Sequence, residues 1–192
     1  MTVDELDHPA DSAADRAPTP STSGPRVVLV GPMGAGKTTV AGLLAATWGL
    51  PARDTDADIV ATDGRSIADI FVESGEDEFR ALERAAVAEA LETHDGVLAL
   101  GGGAVLDPGT RERLAGHTVV FLRVGLADAV KRVGVGSARP LLLGNVRGRI
   151  KALLDERTPV YESVATLVVD TDGRTAEDVA REIAEALDGT AG

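Results

Sequence analysis

Gly31-Pro32-Met33-Gly34-Ala35-Gly36-Lys37-Thr38 matches the pattern G-x-x-x-x-G-K-[ST] without a gap. No other stretch restricts the fold so tightly, because such a loop works only between a strand and a helix. Both neighbours are present. Val27-Val28-Leu29-Val30, bounded by Pro25 and Gly31, reads as a short buried strand. Residues 36–47 follow as a helix with Val40, Leu43 and Leu44 on one face. The glycines let main-chain N–H groups turn inward around an anion, and the helix start adds its positive dipole end. In this geometry Lys37 reaches the β- and γ-phosphates of a nucleotide and the Thr38 hydroxyl is placed to coordinate Mg2+. The loop alone does not separate a kinase from a GTPase or a motor. An N-K-x-D guanine motif is missing, which argues against a GTPase, and the chain is small for a motor.

Further apolar runs extend the pattern. Val97-Leu98-Ala99-Leu100, Val119-Val120-Phe121-Leu122 and Leu167-Val168-Val169 read as buried strands, and a short extended piece near 50–53 precedes Asp54-Thr55-Asp56. Ser66 is a candidate cap for a helix holding Ile67, Ile70 and Phe71, which Gly75 would end. Residues 76–93 carry Phe79, Leu82, Ala86, Val87, Ala90 and Leu91 at helical spacing, and 175–187 reads as a surface helix. Strands alternating with helices predict an α/β fold: a three-layer P-loop NTPase fold with a central parallel sheet covered on both faces. Ligands then sit beyond the carboxyl ends of the strands. The glycine loop, the Asp pair and Gly101-Gly102-Gly103 each follow a strand and are expected to line one crevice.

Residues 1–25 are rich in Asp, Ala, Pro, Ser and Thr and are expected to form a disordered tail. They lack the apolar core of a signal peptide, and no run approaches the ~18 apolar residues of a membrane span. The kinase domain is expected over 26–187, with a substrate-binding region near 54–93, a lid near 133–147 and a short tail over 188–192. The chain has no cysteine, which excludes thiolate chemistry and fits a cytoplasmic setting. A net charge of −12 and only 3% aromatic residues disfavour a nucleic-acid partner. Acidic residues still outnumber basic ones once the tail is set aside, so anionic ligands require locally focused cations.

Asp54 and Asp56, two apart in an extended segment, would point to the same side. One could hold a hydrated metal while the other accepts a hydrogen bond from an attacking hydroxyl; the alternative is an acidic turn. Arg80 is either a site cation or half of an exposed i,i+4 pair with Glu76. Gly101-Gly102-Gly103 reflects close approach of a ligand or a flexible turn. Arg139 lies in a glycine-rich stretch suited to closing over phosphates, or is a solvated loop residue. Pro159 breaks a helical pattern and would leave Arg157 near an element end, either in the site or as a helix-terminal cation.

Taken in order, G-P-M-G-A-G-K-T-T, D-T-D, S-I-A-D-I-F, E-F-R, L-G-G-G-A-V, R-P-L-L and R-x-P-x-Y resemble the motifs of shikimate kinases, from about Arg26 to Leu187. The resemblance implies ATP and Mg2+, transfer of the γ-phosphoryl group to the 3-hydroxyl of shikimate, a monomer, and no nucleic-acid or membrane partner. It implies a nucleotide site of Gly34, Ala35, Gly36, Lys37, Thr38 and Thr39, with Arg132 and Arg174 flanking the adenine and Arg139 on the phosphates. Lys37, Asp56 and Arg139 carry the chemistry. Asp56 would hold the shikimate hydroxyls, either taking the proton or positioning the hydroxyl, and Asp54 would hold magnesium through water beside the direct ligand Thr38. Arg80 and Arg157 would grip the shikimate carboxylate beside Gly101, Gly102 and Gly103. A proline frequent in the family two positions after Arg174 is Ala176 here. The nearest alternative is a kinase for another sugar acid such as gluconate, and a more distant one is a nucleotide-binding module without catalysis.

Overall fold

The computed structural model describes residues 24–134 and 145–189. Five strands, β1 (Val27–Val30), β2 (Ala52–Asp54), β3 (Val97–Ala99), β4 (Val119–Arg123) and β5 (Leu167–Asp170), form one sheet in the order β2-β3-β1-β4-β5. Every pairing is parallel. Among the described residues eight helices cover it: α1 (Lys37–Trp48), α2 (Thr55–Asp63), α3 (Ile67–Glu73), α4 (Gly75–Thr93), α5 (Pro108–Leu114), α6 (Leu126–Gly134), α7 (Val146–Val164) and α8 (Ala176–Asp188). A 3-10 turn spans Ala104–Leu106.

Strand alternation divides the core. On β1, Val27 and Leu29 face the α1 and α8 side, where Val40, Leu44, Val179 and Ile183 pack. Val28 and Val30 face the other side with Val87, Leu91, Phe121 and Tyr161. Both faces of the strand are therefore buried, which is why its sequence is an unbroken apolar run. A third, smaller cluster of Ile59, Ile70 and Phe79 joins α2, α3 and α4.

Register aligns Leu29 with Ala99 and Ala99 with Asp54, so the carboxyl ends of β1, β3 and β2 finish at one level. The three segments expected to share a crevice leave from that edge. The chain steps from β1 outward to β2 and returns through β3 before crossing to β4, and the glycine loop sits where that direction changes.

Two local expectations are corrected. Asp54-Thr55-Asp56 does not continue as a strand: Asp54 is the N-cap of α2, and its side chain accepts a hydrogen bond from the Asp56 N–H. Capping chemistry, not strand alternation, sets the carboxylate positions. Pro159 does not end a helix but lies inside α7. It is exposed, so the carbonyl it leaves unpaired faces solvent, and Tyr161 packs the following turn into the core. As expected, the helix capped by Ser66 ends at Gly75: α3 closes at Glu73 with Ser74 as its cap, and Gly75 follows in the left-handed region with φ 86° and opens α4. Helices α2, α5 and α6 and most of α7 are additions to the sequence reading: α2 and α7 carry weak apolar periodicity, and α5 and α6 are short.

Candidate active site

A cleft of about 390 Å3 opens at this edge of the sheet. One wall is the glycine loop. Gly31, Gly34 and Gly36 hold φ values of 147°, 79° and 91°, and a Cβ on Gly31 would stand 2.6 Å from the Leu122 carbonyl oxygen. The first and last of the conserved-pattern glycines are thus required by backbone geometry, and Gly36 caps α1 in the left-handed region. Lys37 Nζ donates to the carbonyl oxygens of Gly31 at 2.8 Å and Pro32 at 3.1 Å. The Thr38 hydroxyl donates to Asp54 Oδ2 at 2.6 Å.

The opposite wall comes from α4, α7 and the segment after β3. Arg80, Glu83 and Arg157 line the cleft together with Asp54, Asp56 and Lys37. Arg80 satisfies both readings of its position: it pairs with Glu76 at 3.2 Å and also faces the cleft. Its stronger partner is Glu83, at 2.6 Å. Burial opposes the Arg80 charge, but Glu83 and Glu76 outweigh it and hold the guanidinium above its ordinary pKa. Burial raises the Glu83 carboxyl, with Asp56 adding to the shift and Arg80 and Arg157 opposing it.

The glycine triplet has a specific explanation. A Cβ on Gly101 would lie 2.4 Å from Asp56 Oδ1 and 2.9 Å from Glu83 Oε1. A Cβ on Gly103 would lie 2.2 Å from Arg80 Nη1. A methyl group at either end would therefore displace a side chain of the site itself. Gly102, by contrast, lines the cleft with no atom closer than 3.6 Å to such a Cβ. None of the three has a positive φ, so turn geometry is not the cause. The Gly101 N–H donates to the buried Thr55 hydroxyl at 3.0 Å, which ties this segment to the Asp54–Asp56 corner.

Arg157 reaches the cleft from the middle of α7, and its Nε is buried without a hydrogen-bond partner among the described residues. Leaving such a donor unpaired costs about 1–3 kcal/mol, a cost that a ligand in the cleft could offset. One turn further along, Tyr161 is fully buried, its hydroxyl donates to the Gly102 carbonyl, and its ring stacks on Phe121 at 5.0 Å. Burial pushes the phenol up to about 12, against the influence of the Arg157 cation beside it.

Beyond the glycine loop lies a second hollow of about 200 Å3, lined by Ala35, Thr39, Arg132, Arg174 and Ala176 among others. Arg132 donates to Gly34 O at 3.2 Å and to Thr171 O at 2.6 Å, and pairs with Asp128 at 3.1 Å. Arg174 pairs with Glu182 at 2.6 Å. The fold thus gathers Asp54, Asp56, Arg80 and Arg157 into the first cleft and Arg174 into the second, with Arg132 lining both. Arg139 lies outside the described residues. Glu83 and Thr55 were not singled out in the sequence. An acid three residues after Arg80 on the apolar face of a helix was the available signal for Glu83, since unpaired acids rarely occupy such faces.

Chemically, the arrangement offers an anion cradle, a hydroxyl–carboxylate pair fit for a hard cation, and two arginines facing a carboxylate. The family model for shikimate kinase matches residues 33–188. The shikimate kinase of Thermobifida fusca is 58% identical over 166 residues, covering 86% of this chain and 96% of that protein. That of Streptomyces avermitilis is 56% identical, covering 85% and 96%. The structure of shikimate kinase from Acinetobacter baumannii in complex with shikimate superposes with a TM-score of 0.83 at 35% identity, covering 88% of this chain and 96% of that one.

Proposed function

Because the chain belongs to the shikimate kinase family, we propose that its cleft binds ATP and shikimate side by side and transfers the γ-phosphoryl group to the 3-hydroxyl. The observation that carries this reading is the buried, unpartnered Nε of Arg157 in the same cleft as Lys37 and Arg80. A nucleotide cradle alone would not need two arginines on the far wall, whereas a ring acid does: a guanidinium grips a carboxylate bidentately.

The main-chain amides of the glycine loop and Lys37 hold the β- and γ-phosphates. Arg80 and Arg157 hold the carboxylate of shikimate, and Gly102 presents backbone to the ring. Asp56 orients the 3-hydroxyl. As the oxygen–phosphorus bond forms, the bond from the γ-phosphorus to the β,γ-bridging oxygen breaks, ADP leaves, and Asp56 receives the hydroxyl proton. Transfer through a loose transition state depends on alignment and charge more than on covalent help. The apolar side of the cleft, with Phe71 and Phe79 4.5 Å apart between ring centroids, limits competing attack by water.

Thr38 and Asp54 present oxygen donors in contact with each other at the phosphate end, the donor type that Mg2+ requires. Among the described residues no cluster of three or more acidic or histidine side chains is available to cage a metal, which suits an ion completed by phosphate oxygens and water. Thr38 would bind it directly and Asp54 through water; when bound it supplies charge neutralisation at the phosphates. Among the described residues no helix is long and apolar enough to cross a membrane. The enzyme acts as a cytoplasmic monomer in this reading.

A coupled ADP-release assay with shikimate, gluconate and a nucleoside monophosphate side by side tests the assignment. Turnover with shikimate alone is expected. Comparable turnover with gluconate or the monophosphate would remove it.

A further inference from the structure

Tyr161 touches both halves of the acid-binding wall without lining the cleft. Its hydroxyl donates to the Gly102 carbonyl, which fixes the plane of the peptide following that residue. On α7 it lies four residues after Arg157, so both side chains project from one face of the helix. The ring is anchored independently by its stack on Phe121 of β4, in the sheet itself. Residue 161 therefore links three bodies: the sheet, the glycine segment after β3, and the helix that carries Arg157.

We propose that Tyr161 is a positioning residue for shikimate: its hydroxyl sets the register of α7 against Gly102, and so the separation between the Arg157 guanidinium and the backbone that receives the ring. A helix that contains Pro159 lacks one internal hydrogen bond just before this point. An external tie is needed there to hold Arg157 at a fixed height, and the Tyr161–Gly102 bond provides it. The proposal rests on the reading of Arg157 and Gly102 as shikimate-facing groups. Tyr161 bonds to Gly102 and stacks on Phe121, both outside the glycine loop, so its influence is directed first at the acid.

The test is a pair of variants and a spectroscopic probe. Tyr161→Phe keeps the ring and its stack but deletes the tie to Gly102 together with the hydroxyl's contact to the Arg157 guanidinium. KM for shikimate is expected to rise roughly three- to tenfold, in line with one lost hydrogen bond, with KM for ATP unchanged. If KM for shikimate stays within twofold while only the melting temperature falls, the residue is merely structural and the proposal fails. Arg157→Ala separates the two levels of the argument. A raised KM for shikimate in Arg157→Ala but not in Tyr161→Phe overturns the Tyr161 role alone, whereas an unchanged KM in Arg157→Ala overturns the site assignment and the proposal with it. The chain has a single tyrosine, so incorporation of 3-fluorotyrosine labels this one position even if Tyr161→Phe does not fold. Shikimate is expected to shift the fluorine resonance and ADP alone to leave it in place. A resonance insensitive to saturating shikimate would overturn the proposal.

Discussion

Arg80 Nη1 stands 2.6 Å from Glu83 Oε2, and the Glu83 side chain is only 4% exposed. The site cation is thus itself held by a buried anion, so substrate binding and stability meet in one pair. Arg80→Ala removes the carboxylate grip and is expected to raise KM for shikimate tenfold or more, as for loss of a charged hydrogen bond of about 1.5–3 kcal/mol. It also strands Glu83, with a stability loss on the order of 2 kcal/mol, less than for a fully buried pair. Adding Glu83→Gln is expected to restore much of the stability while KM stays high. Recovery of both together would show that Arg80 acts only through folding.

The Glu83 carboxyl has a raised pKa in the folded state, chiefly through burial, so the native protein binds its proton more tightly than the unfolded chain does. Its stability contribution is therefore full below the ordinary value of 4.5 and declines as the pH climbs from there through the raised native value. Asp63, Asp128, Asp170 and Asp178, all lowered, act in the opposite sense: their contributions are present above 3.8 and fade as the pH falls. Urea unfolding at several pH values, for the wild type and Glu83→Gln, isolates the first effect. Relative to the variant, the wild type is expected to lose stability as the pH rises above 4.5. Parallel curves would contradict the burial of an ionisable group at 83.

Asp56→Ala is expected to lower kcat by roughly 10^2–10^4, the usual range for a general base. ATP affinity, measured by calorimetric titration, stays within a few fold because the phosphate cradle belongs to the glycine loop. A variant that keeps most of its activity would exclude the assigned role.

The glycine triplet predicts an asymmetry. Gly103→Ala places a methyl group where Arg80 Nη1 lies and is expected to raise KM for shikimate with KM for ATP unchanged. Gly102→Ala meets no atom closer than 3.6 Å, so its unfolding free energy should stay within about 0.5 kcal/mol of the wild type. Equal effects of the two on thermal stability would refute the packing explanation.

Thr38→Val deletes the hydroxyl that donates to Asp54. The Mg2+ concentration for half-maximal activity is expected to rise by about an order of magnitude, with Thr38→Ser retaining the wild-type requirement. Chelation of the metal should stop turnover in every variant. Activity that survives chelation would exclude Mg2+ from the reaction.

Much of this was legible along the chain. Strands β1, β3 and β4 were readable because both faces of the central parallel sheet are buried there, leaving unbroken apolar runs such as 27–30 and 119–122. The edge strand β5 was readable from its apolar run although Val168 is exposed. The glycine loop was legible because its positive-φ positions admit little but glycine. Alternating strands and helices then dictated that Asp54, Gly101 and the loop leave from one edge, and the register confirms that level. Helices α2, α5 and α6 were harder to read, since each spans nine residues or fewer and gives a periodic pattern few positions in which to repeat.

Local sequence determined the anion cradle, the parallel sheet and the order in which functional segments reach its edge, because backbone sterics and burial patterns act over a few residues. Only the tertiary structure decided that Asp54 caps a helix, that Arg80 has a buried counterion, and that Gly101 and Gly103 lie against side chains from α2 and α4. It likewise carried α7 through Pro159 to bury Tyr161 against Gly102, 59 residues away in sequence. These are matters of desolvation and contact between segments far apart in the chain, and such energies exist only once the segments have packed.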